Sequence, residues 1–161
     1  MLHLLTSRVE TFALRKVLLL VILCHLSSPK MRAEQLTDDG REKRDLVFVD
    51  SNTLVYVEQI GPRQIALMKL DLRTKTSERL HPDTTQNEFG PCFSPDRKYF
   101  AFLQNTGNLN LRLVIRNLET KAESEFKEGG FSGMRSPVFT ADSQHVIYAY
   151  PENGRQHLWR C

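Results

Sequence analysis

Beyond Glu34 no segment holds a helical apolar period, and that absence speaks against a helical or α/β body. Proline and glycine are sparse, at seven and eight residues, too few for a low-complexity or fibrous chain. Cysteine is sparse too: Cys24, Cys92 and Cys161, with no pair at zinc spacing. Five histidines, His3, His25, His81, His145 and His157, show no ligand spacing and no H-E-x-x-H pattern. No G-x-S-x-G elbow is present; "GFSGM" (130–134) imitates one but has Phe-Ser-Gly at its middle and precedes a strand. These absences leave no recognisable catalytic residue, no metal site and no cofactor motif.

Positive charge of the kind that binds phosphate is also lacking. The formal net charge is +3, but Arg8, Arg15, Lys16, Lys30 and Arg32 against Glu10 account for all of it. The remainder is slightly acidic with both signs interspersed, so nucleic acid is not an expected partner. Arg15 and Lys16 precede Val17–Leu26, ten uncharged residues, "VLLLVILCHL". That run is too short to span a bilayer and fits the apolar region of a secretory signal. The expectation is a signal peptide, with a signal helix, over 1–33, leaving an exported protein, periplasmic or extracellular, with no membrane span. A charged tether, residues 34–43, follows. Cys24 leaves with the signal. Cys92 lies in an apolar strand and reads as a buried thiol, although pairing with Cys161 stays open in an oxidising compartment.

What the sequence does contain is a repeat. "FSPDRKYFAF" (93–102) returns as "FTADSQHVIY" (139–148), which puts Asp96 over Asp142 at an offset of 46 residues. The same offset run backwards reaches Asp50 in "VFVDSNTLVY" (47–56). Downstream, Leu72, Thr74 and Lys75 fall under Leu118, Thr120 and Lys121, and Pro91 under Pro137. A period in the forties marks repeated β units. Each unit reads as a short apolar strand, a turn whose Asp serves the backbone two residues on, a second apolar strand, a loop, and a third strand. A tight turn at "RTK" or "ETK" and a short polar strand complete it. The expected fold is therefore all-β: a partial β-propeller of about two and a half four-stranded antiparallel blades. Blade 1 spans residues 44–89 and blade 2 residues 90–135. Blade 3 spans residues 136–161 and is incomplete.

The phrase "FSPDRKYFAF" followed by "LVIRNLETK" resembles the WD40-like repeat of TolB-type propellers. The hallmark of that repeat is F-S-P-D-G-K, an apolar strand, and a strand ending in D-L-x-T. The likeness covers roughly residues 44–161. Arg97 and Ser143 stand where that family has Gly, "TAD" replaces "SPD" in the third copy, and the first copy lacks the Pro. The resemblance implies a non-catalytic exported scaffold that binds a protein or peptide. Similar repeats form the propeller lobe of prolyl-oligopeptidase-type serine peptidases, and a fragment of such a lobe is the alternative. A polysaccharide-binding or polysaccharide-cleaving propeller is a third.

A ring closes with about four to eight blades. Fewer than three are present, so the expectation is a truncated reading frame, with arcs that self-associate into a ring and a short domain stabilised by a partner as the alternatives. Asp50, Asp96 and Asp142 are assigned to structural turns and not to a shared ion, because each blade would hold its turn away from its neighbours. Trp159, Tyr148 and Tyr150 read as packing between blades before rim contacts. Asp38, Asp39, Glu123 and Glu125 read as solvated.

Overall fold

The computed structural model describes residues 32–105, 111–126 and 133–161. The expected signal helix lies outside the described residues. Every regular element among them is a strand.

Strands β1 (Lys43–Phe48), β2 (Thr53–Gly61), β3 (Gln64–Asp71) and β4 (Thr76–Arg79) form one antiparallel sheet in sequence order. The second sheet repeats that order with β5 (Asn87–Phe93), β6 (Tyr99–Asn105), β7 (Leu111–Asn117) and β8 (Glu123–Phe126). The third holds β9 (Arg135–Phe139), β10 (Val146–Glu152) and β11 (Arg155–Arg160), with β10 central. The count of two four-stranded sheets and one three-stranded sheet is the one the repeat predicted.

The side-chain pattern of each second strand shows how the sheets stack. In β2 and β6 residues on both faces are buried: Leu54, Val55, Tyr56 and Val57, then Phe100, Ala101, Phe102 and Leu103. A strand reads this way only when both its faces are covered. Val55, Val57 and Leu67 of the first sheet meet Phe100, Phe102 and Val114 of the second. The opposite face of the second sheet, Ala101, Leu103 and Leu113, meets Val146, Tyr148 and Tyr150 of the third. In β10 burial alternates instead, and the other face of that sheet is open at Val138 (54% exposed) and Leu158 (79%). Each fully buried aromatic such as Phe102 contributes about 1.5–3 kcal/mol.

The charged segment before β1 is anchored at Asp39, Arg41 and Lys43. Glu58 is 1% exposed, and Arg41 Nη1 reaches its Oε1 at 2.9 Å while Lys43 Nζ lies 3.4 Å from Oε2. Lys43 also pairs with Asp39. The Tyr56 hydroxyl donates to Glu58 Oε2 (3.1 Å). Paired cations and this hydroxyl offset the desolvation a buried carboxylate would otherwise suffer.

Candidate binding cleft

The first strands β1, β5 and β9 lie in a row, and each is interrupted at the same place. Pairing register slips between Arg44 and Val47, between Phe89 and Cys92, and between Arg135 and Val138. The residue in each slip adopts a left-handed backbone: Asp45 at φ 52°, Gly90 at 52° and Ser136 at 51°. A bulge of this kind leaves one residue outside the ladder and re-aims its neighbours. Three in register turn the polar residues Arg44, Asp45, Arg135 and Ser136 toward one opening.

That opening is a cleft of about 510 Å³. Its apolar lining comes from Phe89, Leu103, Leu111 and Met134, and its polar rim carries Arg44 and Arg135 against Asp45. Two glycines permit the geometry. A Cβ on Gly90 would sit 3.0 Å from Pro137 Cδ, and one on Gly133, at φ 149°, would sit 2.3 Å from Pro151 Cγ. Arg44 Nη1 lies 3.5 Å from Glu42 Oε1, and two arginines beside an apolar floor suit a carboxylate-bearing peptide segment better than a neutral solute. Among the described residues no group of three or more His, Cys, Asp or Glu is placed to hold a metal.

The three expected turn residues stand apart from the cleft, each between the first and second strand of its sheet. Asp50 Oδ1 accepts the Asn52 N–H (2.7 Å), Asp96 Oδ1 that of Lys98 (3.1 Å), and Asp142 Oδ1 that of Gln144 (3.0 Å). Their carboxyls all titrate below the usual range. For Asp50 the main cause is the Asn52 N–H; for Asp96 and Asp142 it is the hydroxyl of Ser94 and of Thr140. All three are exposed; Asp50 and Asp142 work on their own turns, whereas Asp96 also meets the Ser143 hydroxyl from the turn of the third sheet.

Several contacts of consequence carry no signal in the sequence. Arg97 and Ser143, the departures from glycine, keep the left-handed backbone at φ 61° and 62°. Their side chains tie the turns together: Arg97 Nη1 donates to the Phe48 carbonyl (2.7 Å), and Ser143 Oγ accepts the Asp96 N–H (3.1 Å). His81 lies with its Nδ1 2.6 Å from Glu88 Oε1 and its Nε2 2.6 Å from Arg116 Nη1. A guanidinium only donates, so Nε2 accepts and the Nδ1–H donates to the buried carboxylate. These partners are 7 and 35 residues away, beyond any local pattern.

Of the aromatics, Tyr148 and Tyr150 are 4% and 7% exposed between sheets, while Trp159 is 38% exposed with its ring edge on Tyr150, centroids 6.3 Å apart. Glu123 and Glu125 hold Arg116 and Arg112. Cys92 and Cys161 are both thiols, and burial pushes that of Cys92 up to about 12.

No family model matches the sequence, and no curated protein matches it. Solved structures do. TolB from Acinetobacter baumannii superimposes with a TM-score of 0.63 at 20% identity, over 80% of this chain and 32% of that one. These three sheets are an arc of a β-propeller. The propeller domain of the Trilobed protease from Pyrococcus furiosus gives 0.56 at 18% identity, over 74% of this chain and 38% of that one. An oligogalacturonate lyase in complex with manganese gives 0.51 at 16%, over 81% and 38%. The arc thus spans about a third of each, and at these identities the likeness shows the fold. The cleft lies where the arc's first strands converge.

Proposed function

We propose that this chain is a non-catalytic, exported propeller scaffold that binds an extended protein or peptide segment in the cleft of β1, β5 and β9. The carrying observation is the triple bulge. Three strands in different sheets repeat the same left-handed residue, and together they present two arginines over an apolar floor. Rigid sheets supporting a polar-rimmed, apolar-floored recess are a common recognition device. Export is supported by the basic pair Arg15–Lys16 ahead of the apolar run Val17–Leu26. The TolB-like geometry agrees with a scaffold role. The Trilobed protease likeness supports the second reading, the propeller lobe of a serine peptidase.

A peptide array probed with the purified chain tests the first reading. Bound peptides are expected to crosslink to Met134 and to lose their signal when Arg44 and Arg135 are both changed to Glu. Binding indifferent to those two changes overturns it.

A further inference from the structure

We propose that His81 is a proton-operated latch that ties the connection between the first two sheets to β7. The latch is closed while the imidazole is neutral and opens when the ring takes up a proton. It rests on contacts between the first and second sheets and does not need a ligand in the cleft.

The connection, residues 80–86, runs from β4 to β5, and three arginines reach it. Arg79 Nη1 and Nη2 donate to the carbonyls of Pro82 (3.4 Å) and Thr84 (2.6 Å). Arg112 Nη2 donates to Gln86 Oε1 at 2.8 Å. Arg116 Nη1 donates to His81 Nε2 at 2.6 Å, and His81 Nδ1 lies 2.6 Å from Glu88 Oε1. The Arg79 and Arg112 contacts join groups that keep their protonation between pH 5 and 8. Imidazole is the side chain whose charge ordinarily changes in that interval. One of the three holds is therefore open to a proton and the other two are not.

Only a neutral ring fits the Arg116 contact. A guanidinium has no acceptor, so Arg116 needs the lone pair of Nε2 while the Nδ1–H serves Glu88. A proton on Nε2 removes that lone pair and sets one N–H against another, with positive charge on both partners. Like charges at contact distance repel, and a partly buried site screens them less than water does.

The surroundings decide which contact gives way. Glu88 of β5 is fully buried, with Oε1 on His81 and Oε2 lacking a hydrogen-bond partner among the described residues. A charged ring stays with that carboxylate, because leaving it costs both groups their only compensation. Arg116 has another anchor: its Nε and Nη2 lie 2.7 and 2.5 Å from Glu123 Oε1 of β8, whose side chain is 39% exposed. From β6 the neighbour is apolar, the Phe102 ring, 5.2 Å from that of His81 and 5.7 Å from the Arg116 Cζ. Of the charged residues beside His81 in sequence, Arg79 is engaged by its two carbonyls and Asp83 is exposed. Protonation thus keeps His81 on Glu88 as an ion pair and detaches Arg116 toward Glu123 and solvent.

Hydrogen exchange of residues 80–86 in the full chain, corrected for the intrinsic effect of pH, tests the proposal. Exchange in the parent protein is expected to quicken about tenfold between pH 8 and pH 5, as one hydrogen bond to a charged group is lost. His81→Gln keeps a donor for Glu88 and an acceptor for Arg116 but does not titrate, so its exchange should stay slow at both pH values. Arg116→Met removes the latch and leaves Glu88 with His81, so its exchange should be fast at both. Exchange in the parent that ignores pH overturns the proposal. So does a tenfold acid response that persists in Arg116→Met, which would place the proton elsewhere. Should His81→Gln fail to fold, the parent protein and Arg116→Met decide the matter between them.

Discussion

Arg97 and Ser143 hold a backbone conformation that glycine adopts at no steric cost, and each returns a hydrogen bond to a neighbouring sheet. A non-glycine residue at positive φ costs about 1 kcal/mol or more. A hydrogen bond returns about 0.5–1.5 kcal/mol, toward the upper end when the donor is charged. The two effects nearly cancel at Arg97, and substitutions can separate them. Arg97→Ala keeps the strain and loses the bond, whereas Arg97→Gly loses both. Urea titration should therefore find Arg97→Ala destabilised by about 1 kcal/mol and Arg97→Gly close to the parent protein. Parent-like stability of Arg97→Ala would show that the Phe48 carbonyl contact contributes nothing, and equal losses in both variants would show that the left-handed backbone carries no strain. At Cys92 the residue-scale reading from sequence agrees with the structure: a thiol in an apolar strand, buried enough to be raised to about 12, is a poor nucleophile at neutral pH.

At the scale of the strand, the bulges of β1, β5 and β9 decide whether the cleft exists. In the bulge of β5, a Cβ added to Gly90 would stand 3.0 Å from the Pro137 ring at a φ of +52°. Gly90→Ala is expected to cost about 1–2 kcal/mol, from left-handed strain and a displaced ring. Thermal unfolding should show that loss, together with weaker cleft binding, while β-sheet circular dichroism persists. The strands themselves were legible in the sequence because the offset of 46 residues superimposes turn on turn, and because apolar residues cluster between them. The bulges were not. Asp45, Gly90 and Ser136 share a backbone conformation but no chemistry, so aligning residue types does not reveal them. The inter-sheet links escaped for a related reason: Arg97 to Phe48 spans 49 residues and Asp96 to Ser143 spans 47, one blade away. The segment before β1 read as a solvated tether because its charges are dense. Only packing brings Glu58 within reach of Arg41.

Across the whole molecule the turn aspartates share one direction of pH dependence. Asp50, Asp71, Asp96 and Asp142 all titrate below the ordinary carboxylate range, chiefly because backbone amides and neighbouring hydroxyls bond the charged form. A depressed folded value stabilises the native state above the unfolded value of about 3.9. That contribution disappears as pH falls through the lower, folded values. The melting temperature should thus be level with respect to these groups from neutral pH down to about pH 5, then decline below about pH 4, modestly because the groups are exposed. Asn117 shows how to test the assignment. It occupies the place that Asp71 holds one repeat earlier, and its Oδ1 accepts the N–H groups of Glu119 and Thr120, both at 2.9 Å, without a titrating proton. Asp96→Asn and Asp142→Asn should therefore preserve their turns at neutral pH and shallow the acid limb, more so in combination. The sheets stack through shared cores, and the turns of the second sheet are bonded to both neighbours. Acid should accordingly unfold the three sheets in one transition, seen as coincident loss of β-sheet and tyrosine signals. An acid limb unchanged in the double variant would place the sensitivity outside these turns.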